Sequence, residues 1–283
     1  MFIIVESGST KADWVAVEMD GRHQFFKTDG INPSTQVQFP LLSDQALVDA
    51  VTKANDIFFY GAGADDPSSP GRIQKWLAPY GFAGKTEVRS DLYAAARACC
   101  GHQPGIVCIL GTGSNSCVYD GTEIIEAIPS LGYIFSDEGG GVHLGKEIIK
   151  DYFYGNMSQT EKSLFDNMYH LTKAQVIQEV YRNQAGSRYI ASFAQFLSHT
   201  DGIWKDTLIK RVFREFVQLR ILKYKNFGGF PVVFAGSIAY HYRSYLEDVL
   251  LEFDIRAGLI IKQPIHQLIQ FHLNDKLQMS NVE

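Results

Sequence analysis

The feature that most narrows what this chain can fold into is that it begins twice. An apolar strand, Ile4-Val5-Glu6, enters a small-residue turn, Ser7-Gly8-Ser9-Thr10-Lys11, and leaves it as an alternating strand, Asp13-Trp14-Val15-Ala16-Val17, closed by Asp20-Gly21. The same order returns as Ile106-Val107-Cys108-Ile109-Leu110, Gly111-Thr112-Gly113-Ser114-Asn115, Ser116-Cys117-Val118-Tyr119 and Asp120-Gly121. At a constant offset Val5 faces Leu110, Gly8 faces Gly113 and Ser9 faces Ser114. Each copy carries a β-hairpin signature, and recurrence of the pattern predicts two related halves.

Between and after the hairpins, strand and helix patterns alternate. Helical periodicity covers about 44–54 and 68–79, with an apolar strand at Ile57–Tyr60 between them, and Glu87-Val88 precedes an alanine-rich helix from Leu92 to Ala98. The second half predicts longer helices at about 139–153, 159–169, 173–183, 187–199 and 205–226. A strand at Pro231–Ala235, a helix at about 238–251 and a short strand at Leu259–Lys262 follow. This alternation predicts an α/β protein with mixed sheets. The turn residues His102-Gln103-Pro104-Gly105 place the boundary, giving domains 1–104 and 105–277 with a frayed tail 278–283.

Length and composition bound the function. With 283 residues the chain has room for two ordinary domains, and 46% hydrophobic against 20% charged residues excludes a disordered chain. The net charge is −5 and no basic block stands out, which argues against nucleic-acid phosphates or an anionic membrane as partner and for a small molecule. No apolar run approaches the roughly 18 residues of a membrane span, and the start lacks an export pattern, so a cytoplasmic protein is expected. Cys99, Cys100, Cys108 and Cys117 form no C-x-x-C pair and read as buried thiols in a reducing compartment.

Three glycine-bearing turns, Ser7 to Lys11, Gly111 to Asn115 and Ala235 to Ser237, offer backbone N–H groups to an oxyanion with no Cβ in the way. Gly140 to Lys146 fits G-x-x-x-x-G-K, but Glu147 stands where a P-loop needs Ser or Thr. Gly111-x-Gly113 lacks the third glycine of a dinucleotide fingerprint. Acidic residues lie beside these turns. Asp91, between a short strand and a helix, is either an N-cap or a carboxylate that accepts a proton from a hydroxyl. Asp137 either caps the helix that follows or holds sugar-like hydroxyls. Glu6 ends the first strand, where a carboxylate can hold a Mg²⁺-bound water. His102 and His143 have no ligand-spaced partners.

Six segments come in one order: Glu6-Ser7-Gly8-Ser9-Thr10-Lys11, Gly30-Ile31-Asn32-Pro33, Ser90-Asp91, Gly111-Thr112-Gly113-Ser114-Asn115, Ser136-Asp137-Glu138-Gly139 and Phe234-Ala235-Gly236-Ser237. In this the chain, from about residue 3 to 275, resembles the BadF/BadG/BcrA/BcrD-type ATPases, and among them the N-acetylglucosamine kinases, of the superfamily of actin, hexokinase and the heat-shock chaperone ATPases. The resemblance implies two ribonuclease-H-like domains with the active site in the cleft between them. It also implies ATP-dependent phosphorylation of an amino sugar, N-acetylglucosamine foremost, with ATP and Mg²⁺ as cofactors. Thr10, Thr112 and Gly236 match places that hold ATP, with Gly8, Ser9, Lys11, Gly111, Gly113, Ser114 and Ser237 in the same loops. Asn32, Asp91 and Asp137 match sugar-binding positions, with Asn115 and Gly132 beside them; Asp91 also matches the general base, and Glu6 the magnesium position. The alternatives are an ATPase that activates a redox partner and a sugar-sensing regulator. A homodimer is left open.

Overall fold

The structure is a computed structural model that describes residues 1–8, 11–182, 186–225 and 227–280. In chain order the first stretch holds β1 (Phe2–Ser7), β2 (Lys11–Val17), β3 (His23–Asp29), α1 (Gln45–Lys53), β4 (Asp56–Gly61), α2 (Ser69–Leu77), β5 (Lys85–Arg89) and α3 (Asp91–Cys100). The second holds β6 (Gly105–Leu110), β7 (Ser114–Tyr119), β8 (Ile124–Ala127), α4 (Gly132–Phe135), α5 (Gly141–Tyr154), α6 (Gln159–Tyr169), α7 (Lys173–Arg182) and α8 (Gly186–Ser192). It continues through α9 (Ile203–Leu219), β9 (Val232–Ala235), α10 (Ser237–His241), α11 (Arg243–Leu251) and β10 (Ala257–Ile261), and α12 (Ile265–Ser280) follows.

The chain divides into two compact units, Met1–Gln103 with the segment from Gln263, and Pro104–Lys262. Each is built on a five-stranded sheet, ordered β3-β2-β1-β4-β5 in the first and β8-β7-β6-β9-β10 in the second. In both, the first three strands run antiparallel and the last two join the central strand in parallel. One topology used twice bears out the two related halves that the paired hairpins predicted, and it is the ribonuclease-H-like arrangement that the resemblance implied. Both central strands read as near-continuous apolar runs because packed elements bury both faces; Phe2 to Val5 and Ile106 to Cys108 are all essentially inaccessible.

The register of the repeat differs from the expected one. Ser7 pairs with Ala12 and with Gly61 at the end of β4, while Leu110 pairs with Ser114 and Ile109 with Ala235 at the end of β9. By the hairpin pairing Ser7 corresponds to Leu110 and Gly8 to Gly111, two residues from the alignment that placed Gly8 on Gly113. Ser7 and Ala12 pair on either side of the first turn and Leu110 and Ser114 on either side of the second, so matching the glycines slid one copy along the other.

Residues 263–277, expected in the second domain, belong to the first unit, where α12 packs on α3 and β1. Buried Ile265, Leu268 and Ile269 form its apolar face. Its fully inserted His272 stacks on Phe58 at 3.7 Å and meets the Tyr60 hydroxyl at 2.7 Å, and Arg97 donates to that hydroxyl. Burial, together with the Arg97 and Lys276 cations, pushes the imidazole down to about 3, so it is neutral in the fold. The helix runs on to Ser280, past the start of the expected tail. Cys108 and Cys117 are buried on β6 and β7, and Cys99 and Cys100 end α3.

Candidate active site

In the first unit the carboxyl ends of β1, β4 and β5 gather the candidate acids. Parallel register sets Glu6 beside Tyr60 and Tyr60 beside Arg89, so Glu6 and the residues after Arg89 reach the same sheet end. The Glu6 carboxylate accepts the Ile265 N–H at 3.2 Å. Burial, then the carboxylate of its cross-strand partner Asp13, pushes Glu6 up to about 7, Asp91 adds to the rise, and the Ile265 N–H and Lys11 oppose it. Lys11 is engaged with Asp13 at 2.7 Å. Gly8 closes the turn by donating its N–H to the Lys11 carbonyl at 3.0 Å. Ser9 and Thr10 lie outside the described residues.

Asp91 occupies the first turn of α3, and Ser90, not Asp91, is the N-cap. The Ser90 hydroxyl is buried and makes no hydrogen bond. Asp91 is half-buried. Burial and then the nearby Asp65 push its carboxyl up to about 6, against the pull of the Leu92 N–H and its own N–H. A carboxylate so poised matches a base that must take a proton near neutral pH. Asn32 reaches this end of the unit through Ser7, whose buried hydroxyl accepts from the Ile31 N–H at 2.7 Å and donates to the Ile31 carbonyl at 2.9 Å. The Asn32 Oδ1 accepts from the Ser34 N–H, the Ser34 hydroxyl and the Thr35 N–H. Its amide NH₂ is the group suited to a hydroxyl ligand. Arg72 holds the same loop by donating to the Pro33 and Gln36 carbonyls.

In the second unit, Gly111, Thr112 and Ser237 line a cavity of about 680 Å³ with Ile238, Tyr242 and Lys262. Gly236 permits the approach of β9 to the β6 turn: a Cβ there would lie 2.2 Å from the Leu110 carbonyl oxygen. The Ser114 hydroxyl is buried without a hydrogen-bond partner, and Thr112 is exposed at the turn. Glycines that let backbone come close and a roomy cavity with Ser237 and Lys262 in its wall together fit a nucleoside phosphate. For Mg²⁺ the described residues hold no group of three or more metal-ligating side chains. A single carboxylate such as Glu6, with nucleotide phosphates and waters, is the donor set this ion accepts. The G-x-x-x-x-G-K stretch is not a phosphate loop: the Gly141 and Val142 N–H groups donate to the Gly111 and Thr112 carbonyls, both at 2.8 Å.

Asp137 is not the cap of α5, which is Gly140. It is buried, holds a left-handed backbone at φ 72°, and accepts the Ser114 N–H at 3.0 Å through Oδ1. A Cβ on Gly113 would come within 2.4 Å of that oxygen, so the glycine makes room for the carboxylate. Asn115 is half-buried on β7, and its Oδ1 accepts the Ser116 N–H. Gly132 opens α4 in an exposed, left-handed conformation.

The structure thus brings Glu6, Gly8, Lys11, Asn32 and Asp91 to one end of the first unit. It brings Gly111, Thr112, Gly113, Ser114, Asn115, Asp137, Gly236 and Ser237 to the corresponding end of the second. Sequence reasoning missed Arg72, Arg220 and the part Ser7 plays in holding Ile31, contacts whose partners lie far away in the chain; the one local sign was an arginine set in the apolar Val217-Gln218-Leu219-Arg220-Ile221-Leu222. His102 bonds Asp275 at 2.8 Å, and the His143 Nδ1 accepts the Gly139 N–H at 3.2 Å.

No protein-family profile matches the chain, and no curated protein matches it. Among solved structures, a Porphyromonas gingivalis protein described as a candidate N-acetylglucosamine kinase is 34% identical, with a TM-score of 0.87 over 98% of this chain and 100% of that one. A Chromobacterium violaceum protein described in the same way is 18% identical, with a TM-score of 0.68 over 95% and 98% of the two chains. A ROK-family glucokinase from Streptomyces griseus, solved with glucose and AMPPNP, shares the fold at 14% identity and a TM-score of 0.51, over 95% and 97%. With its duplicated topology and its identity to the P. gingivalis protein across that whole length, the chain belongs to the N-acetylglucosamine-kinase-like family of actin-like ATPases.

Proposed function

We propose that this protein is an ATP-dependent sugar kinase that phosphorylates a hydroxyl of an amino sugar, N-acetylglucosamine. The observation that carries the reading is the end-to-end match to a protein described as a kinase of that sugar. Asp91 supports it, as a half-buried carboxyl raised to about 6 at the carboxyl end of β5. Asp91 accepts the proton of the attacking hydroxyl. Asn32 and Asp137 bind acceptor hydroxyls, joined by Asn115 and Gly132. Gly111 to Ser114 and Gly236-Ser237 hold the nucleotide phosphates through backbone N–H and hydroxyl donors, with Gly8 to Lys11 at the matching turn of the first unit. Glu6 would hold Mg²⁺ through water, and the ion, when bound, would supply charge neutralisation at the transferring phosphoryl group. Catalysis on this account is positioning and charge stabilisation.

The test is ADP release across a panel of hexoses and N-acetylhexosamines. Turnover that depends on the acceptor and is fastest with N-acetylglucosamine is expected. Hydrolysis at the same rate without any sugar would overturn the reading.

A further inference from the structure

We infer that Arg220 is a positioning residue for the acceptor site, acting through Asp137. The inference rests on the reading of Asp137 as a sugar ligand. Arg220 follows α9 directly and is only 3% exposed. Its guanidinium spends all three nitrogens on one segment. Nε and Nη2 donate to the Glu138 carboxylate at 3.1 and 2.9 Å, Nη2 donates to the Ser136 hydroxyl at 2.5 Å, and Nη1 donates to the Ile128 and Pro129 carbonyls at 3.2 and 3.1 Å. One side chain therefore fastens both ends of the excursion 128–138.

Asp137 lies between two of the residues that Arg220 holds. Its left-handed backbone is costly for a residue with a Cβ and persists only where the surroundings fix it. The neighbours supply that constraint: Ser136 and Glu138 through Arg220, the Gly140 N–H on the Asp137 carbonyl at 3.1 Å, and the Ser114 N–H on Oδ1. Gly113 lies so close to the carboxylate that a Cβ there would come within 2.4 Å of it. A fork of five donors in fixed geometry is what a lysine ammonium cannot reproduce. Loss of the fork lets Asp137 shift while the apolar core under α9, formed by Val212, Phe213 and Phe216, stays in place.

The test is a double-mutant cycle on Arg220→Lys and Asp137→Asn, with steady-state kinetics for the sugar and for ATP and thermal melting of each variant. Arg220→Lys is expected to raise the sugar KM about tenfold, in line with a misplaced polar ligand, and the double variant is expected to be no worse than Asp137→Asn alone. A Lys variant with unchanged sugar KM, or a double variant whose two effects multiply, would overturn the role of Arg220 while leaving Asp137 as a ligand. An Asp137→Asn enzyme with normal sugar KM would instead overturn the sugar-ligand reading and this inference with it. Should Arg220→Lys fail to fold, Ser136→Ala removes one contact of the same clamp and is held to the same criteria.

Discussion

Replacing Asp91 by Asn removes a proton acceptor and a half-buried charge in one step, and the two consequences have opposite signs. Positioned base catalysis contributes roughly 10²–10⁴-fold, so sugar phosphorylation should fall by about that factor. Stability should move the other way. The folded-state pKa of about 6 lies above the ordinary 3.8, so the folded protein holds this proton more tightly than the unfolded chain does. The associated stability is present at acid pH and is lost as pH rises from 3.8 through 6. At about 1.4 kcal/mol per unit, the ionised Asp91 costs about 3 kcal/mol at pH 8. The Asn variant escapes that cost, and in a domain of this size each kcal/mol recovered raises Tm by about 2–4 °C. The assay is coupled ADP release at saturating sugar across pH 5–9, beside melting curves at pH 8. The wild-type rate should fall on the acid side near pH 6 as Asp91 takes up its proton, and the residual rate of the variant should lack that limb. A well-folded, ATP-binding Asn variant with near-normal turnover would refute the base assignment. A Tm that falls in step with activity would mean that Asp91 serves the helix and not the chemistry.

Two further perturbations read other parts of the structure. Gly113→Ala places a methyl 2.4 Å from the Asp137 carboxylate; overpacking of this kind costs about 1–3 kcal/mol, and calorimetric titration should show weaker ATP binding, whereas unchanged affinity would remove the turn from the nucleotide site. His272, held neutral with its pKa near 3 in the fold, takes up a proton in the unfolded chain below about 6.5. Its contribution to stability is therefore lost as pH falls from 6.5 toward 3. Urea unfolding at pH 7 and pH 5 should show wild type losing about 2 kcal/mol more than His272→Gln, and equal losses would mean that the imidazole is not buried as described.

How much of this was legible beforehand follows from where the partners lie. The hairpins, their glycine turns and most helices are written in short-range patterns, so β1, β2, β6, β7 and α1 to α3 fall within a few residues of their expected places. β3 and β8 were not foreseen. In β3 only Phe26 is buried, and β8 has no buried residue, so neither shows strong alternation. α12 was missed because its docking depends on His272 meeting Phe58 and Tyr60, more than two hundred residues earlier. The candidate acids were visible as residues beside turns. Their environments were not: the rise at Glu6 needs Asp13 across the strand pair and burial beneath Ile265, and the choice between cap and ligand at Asp91 and Asp137 needed the true caps, Ser90 and Gly140.

The most direct test of the central claim is ³¹P NMR of the protein incubated with ATP, Mg²⁺ and N-acetylglucosamine. The account predicts a sugar-phosphate resonance that grows in step with ADP, with little inorganic phosphate. ADP accompanied only by inorganic phosphate, at a rate indifferent to the sugar, would contradict it and leave the chain an ATPase on a kinase fold.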